Sequence, residues 1–136
     1  MAAPVSEADI AALLAMAGQL WWHERRLLDA AEMYEVAADA IEERAATALQ
    51  EFRLAGVRGA ARRLRVTAWA LERWPKGNIE DRHIRPVLSL PKRGESTRWV
   101  FEVVLLDPFG ARQLVTIDRR GRVRLATAAE YKKARR

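Results

Sequence analysis

His23 and His83 are the two histidines of the 136-residue chain, and 60 positions separate them. Glu32, Glu35, Asp39, Glu42 and Glu43 could share a helix face, as the carboxylates of di-metal helical bundles do. Those bundles also need Glu-x-x-His pairs, and no acid precedes His23 by three residues. The stripe reads as a solvated face. There is no cysteine, which excludes disulfides, thiolate metal sites and cysteine nucleophiles. No glycine-rich phosphate loop, nucleophile elbow or HExxH sequence is present. His83, in DRHIR, reads as a surface residue. Catalytic residues, metal ligands and cofactors are therefore not expected. The chemistry that remains is that of charge.

The charge is divided. Residues 1–52 hold three arginines against ten acids, a net of −7, and residues 53–136 hold 21 Lys+Arg against eight acids, a net of +13. An acidic front with a basic back suggests that the back meets a polyanion, or that the two halves neutralise each other. Residues 59–74, GAARRLRVTAWALERW, carry much of the question. Read as a helix-turn-helix, Ala60 and Ala61 pack the first helix, Leu64 and Val66 bracket the turn, and Thr67 caps a second helix that Pro75-Lys76-Gly77 stops. Read as one helix, Ala60, Ala61, Leu64, Ala68, Leu71 and Trp74 fall at steps of three and four. Val66, Trp69 and Thr67 then sit awkwardly.

Over residues 57–77 the run A-A-x-x-L-x-V-T, followed by a helix ending in tryptophan and a short basic turn, resembles the helix-turn-helix of Cro-like phage-type repressors. Arg65 stands where that family usually has a left-handed glycine, at a cost of about 1 kcal/mol. The resemblance implies DNA binding. Thr67, Trp69, Glu72 and Arg73 would then face base edges, Arg73 taking guanine bidentately and Glu72 accepting from cytosine. Arg62, Arg63, Lys76, Arg82 and Arg85 would hold phosphates.

The elements around this segment read as follows. Ser6 and Asp9 make a capping-box-like start. Between Ile10 and Phe52 there is no proline and one glycine, Gly18. Ile10, Leu13, Leu20, Leu27, Tyr34, Ile41 and Phe52, with alanines between, recur at a heptad-like spacing. The absence of a Gly/Pro/Asn turn signal around WWHERRLLDA favours one long helix over a hairpin, and its seam predicts a homo-oligomer interface. Further on, period-two patterns predict strands over 86–90, 98–106, 112–118 and 122–126. A polar turn follows the first, and Asp-Pro-Phe-Gly at 107–110 fits a type I turn. Thr127 and Glu130 form a capping box for a last helix. The 98–106 strand is apolar on both faces, so both should be covered.

The expectation is an α+β chain in three parts. Residues 1–54 form an acidic helical oligomerisation segment, 55–84 a basic helix or helix-turn-helix with linker, and 85–136 an antiparallel sheet with a C-terminal helix. The start lacks a basic leader, and no apolar run approaches the ~20 residues that span a bilayer, so a cytoplasmic protein without a membrane partner is expected. The functional expectation is a non-enzymatic, dimeric nucleic-acid-binding regulator, acting on DNA before RNA. The alternative is an interaction or assembly protein that docks on a larger complex, or on an acidic protein partner, through its long helix and tryptophans.

Overall fold

The computed structural model describes residues 5–44, 48–90, 97–106 and 110–134. In chain order the elements are α1 (Glu7–Trp22), α2 (Leu27–Glu42), α3 (Ala48–Arg73), a single 3-10 turn (Asp81–His83), β1 (Ile84–Leu90), β2 (Arg98–Leu105), β3 (Ala111–Asp118), β4 (Val123–Leu125) and α4 (Ala128–Ala134). The chain is α+β, and it divides into two compact units, Met1–Leu64 and Arg65–Arg136, with the division falling inside α3.

In the first unit the front is a helical hairpin, not the single long helix that the missing turn signal favours. Ser6 caps α1, its Oγ accepting from the Asp9 N–H at 3.1 Å. The helix stops because Arg25 takes a left-handed conformation, φ +53°, and the Arg26 N–H turns back to the Leu20 carbonyl at 2.8 Å. Glycine is the usual residue for such a stop, and an arginine there costs about 1 kcal/mol. Folding back lets the heptad-like stripe bury itself within one chain. Ile10 and Ile41 share a buried cluster with Ala40, against which Leu14, Leu54 and Val57 pack. Ile10, Leu27 and Ile41 are buried, and Leu13, Leu20 and Tyr34 are half-buried. The stripe read as an oligomer seam is thus largely consumed inside the unit. Phe52 is the exception, at 80% exposed.

Ion pairs join the helices of this unit. Glu7 of α1 receives Arg44 Nε at 3.1 Å and Arg53 of α3 at 2.9 Å. Arg58 of α3 reaches Asp39 at 3.2 Å and also Glu42, both on α2. Part of the acidic stripe is therefore neutralised by arginines of α3.

In the second unit the strands form one antiparallel sheet in the order β1-β2-β3-β4. Pro86, which lacks an N–H, sits on edge strand β1 beside a register shift before Leu88, where a missing donor is tolerated. Trp99, Phe101, Val103 and Leu105 of β2 face Ile117, Val115, Gln113 and Ala111 of β3. This face packs with Val66 and Ala70 of α3 and with Ile84 in a single core. On the other face Val100 and Thr116 are also buried. Arg98 donates to Thr116 Oγ1 at 3.0 Å, and Arg124, paired with Thr116 in β4, reaches Glu130 of α4. Both faces are thus closed around the centre of β2, as an apolar strand requires. The polar turn after β1 and most of the expected type I turn at 107–110 lie outside the described residues.

α3 runs unbroken through residues 59–73. The one-helix reading of that segment holds and the helix-turn-helix does not. No residue of α3 has a positive φ, and Thr67 is packed into the helix interior at 2% exposure rather than capping a second helix.

The stop at Arg25 gives a sign test. Arg25→Gly should stabilise the chain by about 0.5–1 kcal/mol, because glycine accepts the left-handed conformation without strain. A helix continuous through residue 25 would instead lose about 1 kcal/mol from the same change. Thermal unfolding of the variant beside the parent reads the sign.

Candidate nucleic-acid interface

The residues singled out in the sequence do not converge. Arg62 and Arg63 belong to the unit Met1–Leu64 and are half-buried. Burial, and then the neighbouring charge of Arg58, holds the Arg62 guanidinium below the ordinary arginine value. Thr67 is buried and cannot reach a base edge. Trp69 packs against the sheet core, edge-on to Trp74 at 5.5 Å. Arg73 lies over the Trp69 ring, 5.9 Å from its centroid, and Glu72 is exposed beside it. Arg73, Lys76 and the two tryptophans thus gather at the C-terminal end of α3. Arg82 pairs with Glu80 at 2.7 Å. Arg85 is exposed on β1, paired in register with Glu102. His83 is half-buried, and its Nδ1 is enclosed.

A second basic cluster lies at the β3–β4 turn. Gly121 turns the chain with φ +82°, and the Arg65 side chain lies directly across it. A Cβ at Gly121 would stand 2.9 Å from Arg65 Cδ and 3.0 Å from its Nε. Arg65, Arg119, Arg120 and Arg122 are thereby brought to one end of the hairpin. In RRGR at 119–122 three arginines stand around a glycine, and linear sequence cannot show that a fourth, 56 positions away, folds onto them.

Among the described residues of this unit, the buried carboxylates are Asp118 and Glu130, and both are engaged. Asp118 Oδ1 accepts from the N–H groups of Arg120 and Arg122, and Oδ2 accepts from Arg122 Nε, all at 2.9 Å. Burial alone would raise its pKa, but the hydrogen bonds of Arg122 and Arg120 and the Arg122 charge hold it below the usual carboxylate range. Glu130 takes Arg124 bidentately at 2.8 and 3.0 Å and accepts from the Thr127 N–H at 2.8 Å, completing the expected capping box. Burial again works upward, and the Arg124 and Thr127 contacts outweigh it, bringing Glu130 down to about 2. Among the described residues, no carboxylate pairs with the exposed side chains of Arg73, Lys76, Arg85, Arg119, Lys132 or Lys133. By unit the net charge is −3 for residues 1–64, with seven arginines against ten acids. It is +9 for residues 65–136, with 17 Lys+Arg against eight acids.

Such an arrangement can hold anionic oxygens by charge-assisted hydrogen bonds. Among the described residues, no group of three or more His, Cys, Asp or Glu could hold a metal ion, and no helix is long and apolar enough to cross a membrane. No protein family, curated protein or solved structure matches the chain.

The Glu130 contacts set a pH dependence. Because its folded pKa lies below the unfolded value of 4.5, the stabilisation is complete above about pH 5 and is lost as pH falls towards 2. Glu130→Gln should cost about 1–3 kcal/mol at pH 7 by leaving Arg124 without its charge partner. Denaturant titrations of variant and parent should converge as pH approaches 2; an equal gap at pH 7 and pH 2.5 contradicts the assignment.

Proposed function

We propose that the chain is a nucleic-acid-binding protein that grips phosphates through the unit Arg65–Arg136, with the arginines of the β3–β4 turn as its leading contact. The observation that carries this reading is the +9 charge of the unit together with exposed cations, Arg73, Lys76, Arg85 and Arg119, that no carboxylate among the described residues pairs. Positive charge left without a carboxylate partner is what a polyanion neutralises, and the release of its counterions drives binding. A β-hairpin end is narrow enough to enter the major groove of duplex DNA, so DNA is the first ligand to test, ahead of RNA. Because α3 is unbroken, base reading by Thr67, Trp69 and Glu72 is not part of the proposal. The affinity it describes is mostly indifferent to sequence. In this reading the protein is a non-enzymatic regulator of the cytoplasm that works as a homo-oligomer.

A second reading has its own support. Leu49 and Phe52, one turn apart on α3, are 74% and 80% exposed. Apolar residues so placed suit an interaction or assembly protein that docks on a larger complex. Under that reading Phe52, and not Arg119, is the residue that assembly needs.

Fluorescence anisotropy with labelled duplex and single-stranded oligonucleotides separates the two. Affinity for duplex DNA should fall with salt, log K dropping by roughly 0.9 per phosphate contact for each unit of log salt. Arg119→Glu combined with Arg120→Glu should weaken binding at least ~10-fold on every sequence tried and flatten the salt slope by about two contacts. If the parent protein binds no nucleic acid at low salt, the first reading is lost and the second takes its place.

A further inference from the structure

Residues 23–26, His-Glu-Arg-Arg, join α1 to α2. None of the four is a residue that stops a helix; there is no glycine or proline among them. The chain turns on Arg25, whose φ of +53° an L side chain rarely adopts, and on Arg26, at φ −91° and ψ 77°. Arg26 stands at the N-cap of α2 and gives it no side-chain hydrogen bond. A helix running through residues 23–26 would relax Arg25. It would also join the open carbonyls at the end of α1 to the open N–H groups at the start of α2. What keeps the hinge bent is the packing that folding back makes possible. Ile10 meets Ala40 and Ile41, Glu7 receives Arg44 and Arg53, and Trp21 meets Tyr34 edge-on at 6.3 Å. Each of these contacts joins α1 to a residue beyond the hinge.

We infer that the hairpin opens at residues 23–26 and that two copies of the chain exchange α1. In the exchanged dimer the two 16-residue helices and the four residues between them become one helix of 36, about 54 Å long. The α1 segment of each copy then lies where its partner's own α1 lay, and the contacts of Ile10, Glu7 and Trp21 are made between chains. The partner is fixed by identity: a surface shaped for α1 accepts the α1 of another copy, and no new complementarity is needed. Two further features favour the exchange. The hinge is short and strained, which is the condition that invites swapping. The apolar spacing also runs through it in register, Leu20 to Leu27 being one heptad, so the long helix presents one continuous stripe. Against these stands the lost freedom of two chains made one, so the balance depends on concentration. The exchange does not depend on nucleic-acid binding.

The test refolds the full chain from urea over a concentration series up to near-millimolar and reads the dimer fraction by sedimentation velocity. The parent should give a dimer whose share rises with concentration. Two substitutions remove the same Arg25 side chain and set opposite expectations. Arg25→Gly is relaxed in the left-handed conformation and poor inside a helix, so it should weaken the dimer roughly 100-fold or more, each dimer holding two hinges. Arg25→Ile is strained further in that conformation and tolerated in a helix, so it should strengthen the dimer. The chain has no cysteine, so spin labels on Ala12→Cys and Val36→Cys, both exposed, report geometry within one chain. With the labelled chain diluted into excess unlabelled parent, the dimer should show a separation near ~36 Å, at 1.5 Å per residue along one helix. The monomer should show less than ~20 Å, since packed helices lie 8–10 Å apart. A parent that forms no dimer overturns the inference. So does a dimer that keeps only the short separation, or Arg25→Gly dimerising as readily as Arg25→Ile.

Discussion

Both cores draw side chains from the single helix α3, and that shared use constrains the rest of the chain. Leu54 and Val57 pack against the cluster of Ile10 and Ile41, and Val66 and Ala70 belong to the core under the sheet. A turn at residues 65–67 would withdraw Val66 and Thr67 from buried positions, and each large core side chain so lost costs several kcal/mol. That constraint decides where function can reside. Two of the side chains that a recognition helix would present to DNA are here packing groups, Thr67 buried and Trp69 half-buried against the sheet, while Glu72 and Arg73 stay exposed. What stays available in the second unit is its exposed charge, Arg73, Lys76, Arg85 and Arg119 among it.

The charge asymmetry has two physical origins, which the ion pairs separate. Arg53 and Arg58 lie in the basic half of the sequence but fold against acids of α1 and α2. Some of the contrast between −7 and +13 is thus an internal neutralisation. What persists, −3 against +9 when the chain is divided by its compact units, is not consumed in this way. Exposed pairs such as Arg82–Glu80 contribute little to stability. The buried carboxylates Asp118 and Glu130 contribute more, because each accepts several hydrogen bonds at once.

The strands, the Ser6 and Thr127 caps and the α+β class were legible because each has a local cause: period-two alternation, or an oxygen three residues before an N–H. The break after α1 was not. Its left-handed residue is Arg25, where the tertiary gain of burying Ile10 against Ile41 helps offset the strain. The helix at residues 59–73 was ambiguous for a related reason. Leu54, Val57, Ala61 and Leu64 follow one stripe, but the next buried position, Val66, comes two residues later. That off-step residue resembles the end of a helix when only a single buried stripe is assumed. The arginine cluster at Gly121 was hidden because Arg65 is distant in sequence. The oligomer seam was assigned to Ile10 and Ile41, the most apolar stripe, and folding claims that stripe first.

The continuity of α3 is the claim on which the rest stands, and backbone NMR tests it most directly. Assigned Cα chemical shifts and amide exchange across residues 59–73 should show uninterrupted helical shifts, with the amides of Val66 and Thr67 among the slowest to exchange. Non-helical shifts and fast exchange at Arg65, Val66 and Thr67, between two protected helical stretches, would contradict the account and restore a recognition helix.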